Sequence, residues 1–313
     1  MSATTTTGER GRIVVVGSLN ADLVVRTERF PKAGETLRGE DLAILPGGKS
    51  ANQAVAAGRL GGRVAIVGAV GSDGNGTMLL DSVGGAGVDV SAVRVLDDVA
   101  TGTAVITVDA DGENTIVISA GANGRLTASD IDAATEVFEG AAVLGLCLEV
   151  DLDVVLAAAR RAHDAGVTVL TNLSPFGEVP PELLERTDVL LVNEHEAAQL
   201  VDSSGDADWR SLAGLLAERG VRRTIVTTGG AGCVVLDGDA DPETVASVRV
   251  QAVDTTGCGD AFMGAVALRL AAGDALVDAA RFAVGVGAFA ATRPGAQASY
   301  PAPAELSEFL AAH

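Results

Sequence analysis

The stretch AVLGLCLEVDLDVVLAAARRAHDAGVTVL, residues 142–170, decides the fold class. Ala142 to Leu146 and Val167 to Leu170 are short apolar runs, which are typical of buried strands. Leu152 to Ala165, between them, is typical of a helix. A buried strand, a helix and a second buried strand in this order favour two parallel strands joined by a crossover helix.

The same alternation extends on both sides of this stretch. Further strands are predicted at Ile13–Val16, Val64–Val67, Val189–Val192 and Thr224–Thr227. Further helices are predicted at Ala51–Leu60, Ser129–Phe138, Pro181–Glu185, Glu194–Val201, Trp209–Glu218, Ala261–Ala271 and Ala275–Ala291, with a hairpin over Gly232–Gln251. We therefore predict an α/β fold of three layers, with a mostly parallel central sheet and helices on both faces.

A few predicted strands have no helical partners. Thr103–Val108 and Asn114–Ser119 flank the turn Asp109-Ala-Asp-Gly112, which indicates a β-hairpin. The segments at about 20–46 and 99–120 would together form a small sheet, and we expect it to lie over the functional site as a lid.

The chain shows no internal repeat and no clear linker, so residues 11–313 are predicted to form a single domain. Residues 1–10 are Thr-rich and polar, with no apolar core of signal-peptide length, and are predicted to be a short disordered tail. The most apolar late stretch, Ala275–Ala291, is too short and too charged to span a bilayer. We expect no membrane association.

Composition and charge exclude several classes of protein. Hydrophobic residues make up 48% and aromatic residues 3%, which suits a core of Val, Ala, Leu and Ile. Lys and Arg number 22 against 42 Asp and Glu, and the resulting charge of −20 disfavours nucleic acids and anionic membranes as partners. Cys147, Cys233 and Cys258 form no CxxC pair, which favours a reducing compartment, the cytoplasm.

The strongest chemical motif is DTTGCGDAF, residues 254–262. A strand-like stretch at 248–253 precedes it and a predicted helix follows it. The small residues at 257–259 leave backbone N–H groups exposed at a helix N-terminus, and these groups and the helix dipole suit a transferring phosphoryl group. Asp260 could accept the proton of an attacking hydroxyl, or it could be an ordinary first-turn residue of the helix.

Two glycine-containing motifs lack the fingerprints of common nucleotide-binding folds. In PGGKSANQ, residues 46–53, Ala43 stands where a P-loop needs Gly. GSLNAD, residues 17–22, lacks the second and third glycines of a dinucleotide fingerprint, which disfavours nicotinamide chemistry. Asn52 and Asp22 offer donors and acceptors that suit sugar hydroxyls, although capping and turn formation also explain them.

Two further motifs lie at the carboxyl ends of predicted strands. In VNEHE, residues 192–196, Asn193 and Glu196 are three apart and share a helix face, and the carboxylate could hold Mg²⁺ through water. TTGGAG, residues 227–232, is either a loop that lets a nucleotide lie against the backbone or a hairpin turn. With 3 histidines, a Ser-His-Asp hydrolase or a zinc hydrolase is hard to build.

These motifs, in this order, resemble the ribokinase family of sugar kinases over nearly the whole chain, from about Ile13 to Phe309. The other segments that carry the resemblance are FPKAGET at 30–36, GGKSANQAVAAGR at 47–59, SAGAN at 119–123, VQAVDT at 250–255 and TRPGAQ at 292–297.

The resemblance implies an enzyme that transfers the γ-phosphoryl of ATP to the O5 hydroxyl of D-ribose, yielding D-ribose 5-phosphate in ribose catabolism. It implies Mg²⁺ and an activating K⁺ as cofactors, and a homodimer formed through the lid. Another acceptor, such as 2-deoxyribose, a nucleoside or a ketohexose, stays open, as does a sugar-binding regulator without activity. A nucleoside kinase would need an apolar platform for the base, and Phe30 is the one aromatic residue of the lid segments.

The resemblance also implies roles for individual residues. Those that match sugar-contacting positions are Asn20, Asp22, Gly48, Lys49, Asn52, Glu149 and Asp260, the last also matching the catalytic base. Gly257, Cys258 and Gly259 match the anion hole. The matches to ATP-contacting positions are Asn193, Thr227, Thr228, Gly229, Gly230, Ala231, Gly232, Gly259 and Val284. Glu196 matches a residue that helps to organise Mg²⁺, and the matches to the K⁺ loop are Asp254, Thr256, Ala290, Arg293, Gly295 and Ser299.

The sequence departs from the family pattern at two positions. Cys258 stands in the middle of the anion hole, where Ala or Gly is usual, and this predicts sensitivity to thiol reagents. Val284 stands where a polar residue often lies near adenine, which bears on selectivity for the base but not on catalysis.

Overall fold

The computed structural model describes residues 11–203 and 208–313; the predicted tail at 1–10 lies outside the described residues. The described chain builds a nine-stranded and a four-stranded sheet. The strands are β1 (Arg12–Val16), β2 (Asn20–Arg26), β3 (Ala43–Gly47), β4 (Val64–Gly71), β5 (Asp89–Leu96), β6 (Gly102–Val108), β7 (Asn114–Ser119), β8 (Ala141–Leu146), β9 (Thr168–Asn172), β10 (Val189–Asn193), β11 (Arg223–Thr227), β12 (Gly232–Asp237) and β13 (Glu243–Ala246).

The helices lie mainly between the strands of the large sheet. They are α1 (Lys49–Arg59), α2 (Gly74–Gly85), α3 (Ala128–Ala133), α4 (Thr135–Phe138), α5 (Leu152–Asp164), α6 (Pro181–Glu185), α7 (Glu194–Leu200), α8 (Trp209–Glu218), α9 (Cys258–Ala271), α10 (Leu276–Ala290) and α11 (Pro303–Ala312).

The large sheet has the order β13-β12-β11-β10-β9-β8-β1-β4-β5. Its pairs are parallel except for β11 with β12 and β12 with β13. The predicted α/β fold with a mostly parallel sheet is confirmed. Because parallel strands point the same way, their carboxyl ends share one edge, and connections that leave this edge can converge on one site.

Helices cover both faces of the large sheet. Ile13 and Val15 of β1 pack into one apolar cluster with residues of α1, α9 and α10. Val14 and Val16 of the same strand pack into a second cluster, with residues of α5, on the opposite face. Side chains alternate across a strand, and here both sets are buried, so the sheet forms the middle of three layers.

The four-stranded sheet has the order β3-β2-β6-β7. Strand β2 pairs antiparallel with β3 and parallel with β6, and β6 pairs antiparallel with β7, as the predicted hairpin requires. Ile44, Val105 and Val117 leave this sheet with exposed apolar side chains, at 47%, 49% and 69% exposure. The action of this sheet as a lid, and the single domain over 11–313, stay predictions.

The structure differs from the predicted elements in a few places. Residues 248–253 were predicted to be strand-like but form no strand, because β13 ends at Ala246 and the chain leaves the sheet. The helix predicted over 129–138 is interrupted at Ala134, where α3 ends and α4 begins. Helices α2 and α11 and strand β5 were not predicted; α2 is rich in glycine, which lowers helix propensity.

Candidate active site

Polar residues gather where the strands of the large sheet end. Glu149 follows β8, Asn193 ends β10 and Thr227 ends β11. Asn20 begins β2, just after β1, so the small sheet starts at the same edge. Parallel strands thus bring together residues that are far apart in sequence.

Asp260 is buried in the first turn of α9, with 7% of its surface exposed. Its two carboxylate oxygens accept hydrogen bonds from Asn52 Nδ2 at 3.0 Å and from Gln53 Nε2 at 3.1 Å. Burial raises the pKa of Asp260, while the charge of Lys49 and these two hydrogen bonds oppose the rise. A desolvated carboxylate held by hydrogen bonds can act as a general base.

Lys49 supplies a positive charge beside this carboxylate. Burial is the largest single influence on the pKa of Lys49 and lowers it, but the surrounding negative groups, chiefly Asp260 and Glu149, together raise it by more, so the net direction is upward. Lys49 is therefore a cation at neutral pH. Glu149 in turn accepts a hydrogen bond from Ser18 Oγ at 2.5 Å and from the Lys49 backbone N–H at 2.9 Å.

A chain of buried amides supports Asp260 from behind. Gln297 Nε2 donates to Asn52 Oδ1 at 3.1 Å, and Ser82 Oγ donates to Gln297 Oε1 at 2.7 Å. Neither Gln53 nor Gln297 was among the residues predicted to form the site. Gln53 is adjacent to Asn52 and could have been suspected, whereas the position of Gln297 depends on the return of the C-terminal loop to α1.

Asp22 is the second carboxylate with a strongly shifted pKa. Burial, followed by the charges of Glu149 and Asp260, raises its pKa to about 7. These three carboxylates therefore lie near enough to influence one another. Gly48, with φ of 89°, lets the backbone come close here, since a Cβ on it would lie 2.7 Å from the Asn20 nitrogen.

The N-terminus of α9 is shaped for an anion. Gly257 is the N-cap residue, with φ of 71°, and its carbonyl accepts a hydrogen bond from Tyr300 Oη at 3.0 Å. In the part of the chain that the structure describes, the backbone N–H groups of Gly259 and Asp260 have no acceptor. The N–H of Cys258, predicted to belong to the anion hole, donates instead to Thr255 O at 3.2 Å.

The Cys258 thiol is half-buried, and its protonation bears on the predicted sensitivity to thiol reagents. Burial, followed by the charges of Asp254 and Asp260, raises its pKa to about 11. A thiol with such a pKa is almost fully protonated at neutral pH and reacts slowly, because the thiolate is the nucleophile.

Two cavities meet at this helix end. The first, of about 250 Å³, is lined by residues that include Lys49, Asn193, Glu196 and Asp260. The second, of about 570 Å³, has apolar walls that include Phe262 and Val284. Both are lined by Thr227, Thr255 and Gly259.

The predicted nucleotide residues divide between these cavities. Gly229, Gly230 and Gly232 line the second cavity, whereas Thr228 and Ala231 are not among its lining residues. Asn193 and Glu196 form a reciprocal capping box at the start of α7, each side chain accepting from the other's backbone N–H at 2.8 Å.

A still larger cavity, of about 690 Å³, is lined by residues that include Leu184 and Arg219, and it contains none of the predicted site residues.

The predicted K⁺ loop is tied together by Asp254. Its carboxylate oxygens accept from the backbone N–H groups of Thr256 at 2.9 Å and Gly295 at 2.8 Å. The Arg293 guanidinium pairs with Glu305, at 2.9 Å. Because a guanidinium is a cation without an acceptor, only the backbone carbonyl of Arg293 could hold K⁺.

Two other predicted loop residues have oxygens that are already hydrogen-bonded. Ala290 O accepts from the Arg293 N–H at 3.1 Å, and Ser299 Oγ donates to Ala296 O at 2.8 Å. Across residues 11–203 and 208–313, no cluster of three Asp, Glu, His or Cys side chains could hold a metal by itself.

Free N–H groups at a helix N-terminus can stabilise a transferring phosphoryl group, and a buried carboxylate beside them can accept a proton from the attacking hydroxyl. With a small polar cavity that meets a larger apolar one, this site is typical of an α/β phosphotransferase for small molecules. Residues 10–303 match the family model described as pfkB family carbohydrate kinase. The chain therefore belongs to the pfkB family of carbohydrate kinases.

Curated relatives and solved structures agree with this membership. The chain is 36% identical to a ribokinase of Schizosaccharomyces pombe, over 94% of this chain and 96% of that protein. It is 35% identical to a deoxyribokinase of Salmonella typhi, over 95% and 98%. The structure of Arabidopsis thaliana ribokinase complexed with ribose and ATP superposes with a TM-score of 0.88 at 30% identity, covering 96% of this chain and 98% of that one. The predicted family resemblance and fold are confirmed.

None of the helices over the described residues is long and apolar enough to cross a bilayer.

Proposed function

We propose that this protein phosphorylates D-ribose at its O5 hydroxyl, using ATP and releasing ADP and D-ribose 5-phosphate. The observation that carries the proposal is the placement of Asp260. Its buried carboxylate lies at the helix end where the backbone N–H groups of Gly259 and Asp260 are unbonded. It also lines the small polar cavity, which adjoins the larger apolar cavity. The ribokinase relatives favour ribose over other acceptors.

In this mechanism, Asp260 accepts the proton of the sugar O5 as that oxygen attacks the γ-phosphorus of ATP. The new O–P bond forms while the bond to the bridging oxygen of ADP breaks, and ADP leaves with the electron pair. The free N–H groups of Gly259 and Asp260, with the charge of Lys49, stabilise the negative charge on the transferring group. Asn52 and Gln53 keep the carboxylate oriented throughout.

We assign sugar binding to the predicted set around Asp22, Lys49 and Glu149, and nucleotide binding to the larger cavity. The apolar wall there, which includes Val284, suits a purine base, and the glycine turn at 229–232 allows close approach of the nucleotide to backbone.

Two cations complete the proposal. Glu196, with one carboxylate oxygen held by the Asn193 N–H, is the residue to hold Mg²⁺ through water, and Mg²⁺ would neutralise phosphate charge there. K⁺ would be held by the 254–256 and 290–299 segments, largely through backbone carbonyls. Asp254 fits this role because its carboxylate already joins the two segments.

We propose further that the small sheet closes over the sugar as a lid and pairs with that of a second copy. Its exposed valine and isoleucine side chains on neighbouring strands form an apolar face of the kind that mediates association. Sedimentation of the wild type against Val117→Lys tests this, since the lysine should yield monomer.

The three cysteines are unpaired, which suits the cytoplasm.

A coupled ADP-release assay tests the function. Ribose, 2-deoxyribose, fructose and adenosine are compared with Mg·ATP and K⁺, with Asp260→Asn as the inactive variant and the exposed Asp278→Asn as its matched control. We expect turnover with ribose and a loss of about 10²- to 10⁴-fold in Asp260→Asn. Turnover with another acceptor alone would replace ribose as the substrate, and ribose binding without any turnover would indicate a sugar-binding regulator.

A further inference from the structure

Asn123, in the short 3₁₀ helix after β7, is buried and has a fully committed side chain. It is 2% exposed. Its Oδ1 accepts from the Leu19 backbone N–H at 3.0 Å, and its Nδ2 donates to Leu19 O at 3.1 Å and to Asn20 Oδ1 at 2.8 Å. The acceptor and both donors are therefore used.

The contact with Leu19 fixes which way the Asn123 amide faces. Leu19 presents a donor and an acceptor, and exchanging the oxygen and nitrogen of Asn123 would set donor against donor and acceptor against acceptor. The Asn123 nitrogen must therefore face Asn20, and the side-chain oxygen of Asn20 must accept its hydrogen bond. Asn123 thus determines the orientation of a second amide, that of Asn20.

This orientation leaves the Asn20 NH₂ group as a free donor. Asn20 is 3% exposed, yet its Nδ2 has no acceptor within residues 11–203 and 208–313 and is not one of the unpaired atoms sealed from solvent. Asn20 and Asp22 are two residues apart on β2, so both side chains project from the same face of the strand. That face is the one where Asp22 senses the charges of Glu149 and Asp260.

Gly102, which pairs with Asn20 in the sheet, leaves room for this arrangement. A Cβ at this position would lie 2.2 Å from Asn123 Nδ2 and 2.4 Å from Asn20 Oδ1. The first rung of the small sheet is therefore built around the two amides, at a position where any larger residue would push them apart.

We infer that Asn123 is a positioning residue for the sugar: it holds Asn20 so that the NH₂ group donates to a sugar hydroxyl oxygen. Asp22, on the same face, accepts a hydrogen bond from a sugar hydroxyl, so the pair presents one donor and one acceptor to a polyol. This inference rests on the proposed sugar kinase function. It adds Asn123 to the residues that determine how tightly the sugar binds, although Asn123 does not touch the sugar itself.

A double-mutant cycle tests the inference with Asn123→Ala, Asn20→Ala and the combined variant. We expect each single variant to raise the KM for ribose about 10- to 100-fold, because a hydrogen bond to the sugar is lost or misdirected, while the KM for ATP stays within about twofold. Since Asn123 acts through Asn20, its removal in the Asn20→Ala background should change the KM for ribose less than about twofold. Asn75→Ala is the matched control and should resemble the wild type.

Multiplying effects in the double variant, or an equal rise in the KM for ATP, would overturn the inference and indicate a general structural role. Side-chain amide NMR of the wild type tests the same point if Asn123→Ala does not fold. Ribose should then shift the Asn20 NH₂ signals, while the Asn123 NH₂ protons stay protected from exchange with and without sugar. Rapid exchange of the Asn123 NH₂ protons would refute the proposal that Asn123 holds Asn20. If these protons are protected but ribose shifts no Asn20 signal, the proposed substrate is refuted instead.

Discussion

Gly257→Ala is the substitution that tests most directly how the helix N-terminus of α9 is held. Gly257 has φ of 71°, in the left-handed region, where a Cβ costs about 1–2 kcal/mol. That Cβ would also lie 2.6 Å from Tyr300 Oη and 2.7 Å from Ala296 Cβ. Tyr300 is fully buried and hydrogen-bonded to Gly257 O, so it has no free space to move into.

The expected magnitude follows from these two contributions. Overpacking of this kind costs about 1–3 kcal/mol, so together with the backbone strain we expect a loss of about 2–5 kcal/mol in the free energy of unfolding. A displaced N-terminus would also move the free N–H groups away from the transferring phosphoryl group, and we expect kcat to fall about 10²- to 10³-fold.

Gly273→Ala, just beyond the other end of α9, is the matched control. Gly273 has φ of 84°, and a Cβ there would meet nothing within 4 Å. It should therefore show the backbone strain alone, about 1–2 kcal/mol, with kcat unchanged. Urea unfolding and ribose-dependent ADP release measure both variants. Equal destabilisation by the two alanines, or a wild-type kcat in Gly257→Ala, would refute the steric argument.

Three further changes have defined outcomes. The pKa of Asp22 is raised to about 7, so the KM for ribose should fall as pH rises through 7 and the carboxylate ionises. Because the folded state binds this proton more tightly than the unfolded chain, the wild type without sugar should lose stability from about pH 4 to 7. Asp22→Asn should flatten both profiles. Cys258→Ala should keep its activity. Because the pKa of Cys258 is raised to about 11, alkylation of the wild-type thiol should be slow at pH 7 and faster towards pH 11. Rapid inactivation at pH 7 that persists in Cys258→Ala would exclude this thiol as the reactive group. Glu196→Gln keeps an oxygen for the Asn193 N–H but removes the charge, so titration should show a raised Mg²⁺ requirement with an unchanged melting temperature, and an unchanged requirement would place Mg²⁺ elsewhere.

The parallel half of the fold could be predicted because the local sequence pattern there agrees with the strands and helices of the folded protein. Between 142 and 227, apolar runs of strand length alternate with helical segments, and the structure follows them closely. At 248–253, alternating valines suggested a strand, but no neighbouring strand is available after Ala246, and Val253 is 65% exposed. Local preference alone does not make a strand without a partner.

The candidate site could be predicted in its components but not in its interactions. Asp260 stands out as a candidate from a local motif, since the glycine-rich turn and the helix it opens are adjacent in sequence. The raised pKa of Asp22 was not, because it depends on carboxylates that arrive from β8 and α9. Likewise, nothing near Asn123 in sequence indicates that it holds Asn20, 103 residues away.

The strand order has a consequence for how the chain comes off the ribosome. Strand β1 lies between β4 and β8, and Ile13 is paired with Val143, so the first strand synthesised has an open flank until residue 143 emerges. The contact between Asn52 and Asp260 spans 208 residues, which at translation rates of about 5–20 residues per second is an interval of roughly 10–40 s. Glu149 is synthesised within that interval, and Asp22 and Glu149 then lack their third carboxylate neighbour until residue 260 emerges. A prematurely terminated product that ends before α9 therefore contains Asp22 and Glu149, which we propose to bind the sugar, but lacks Asp260, the proposed base.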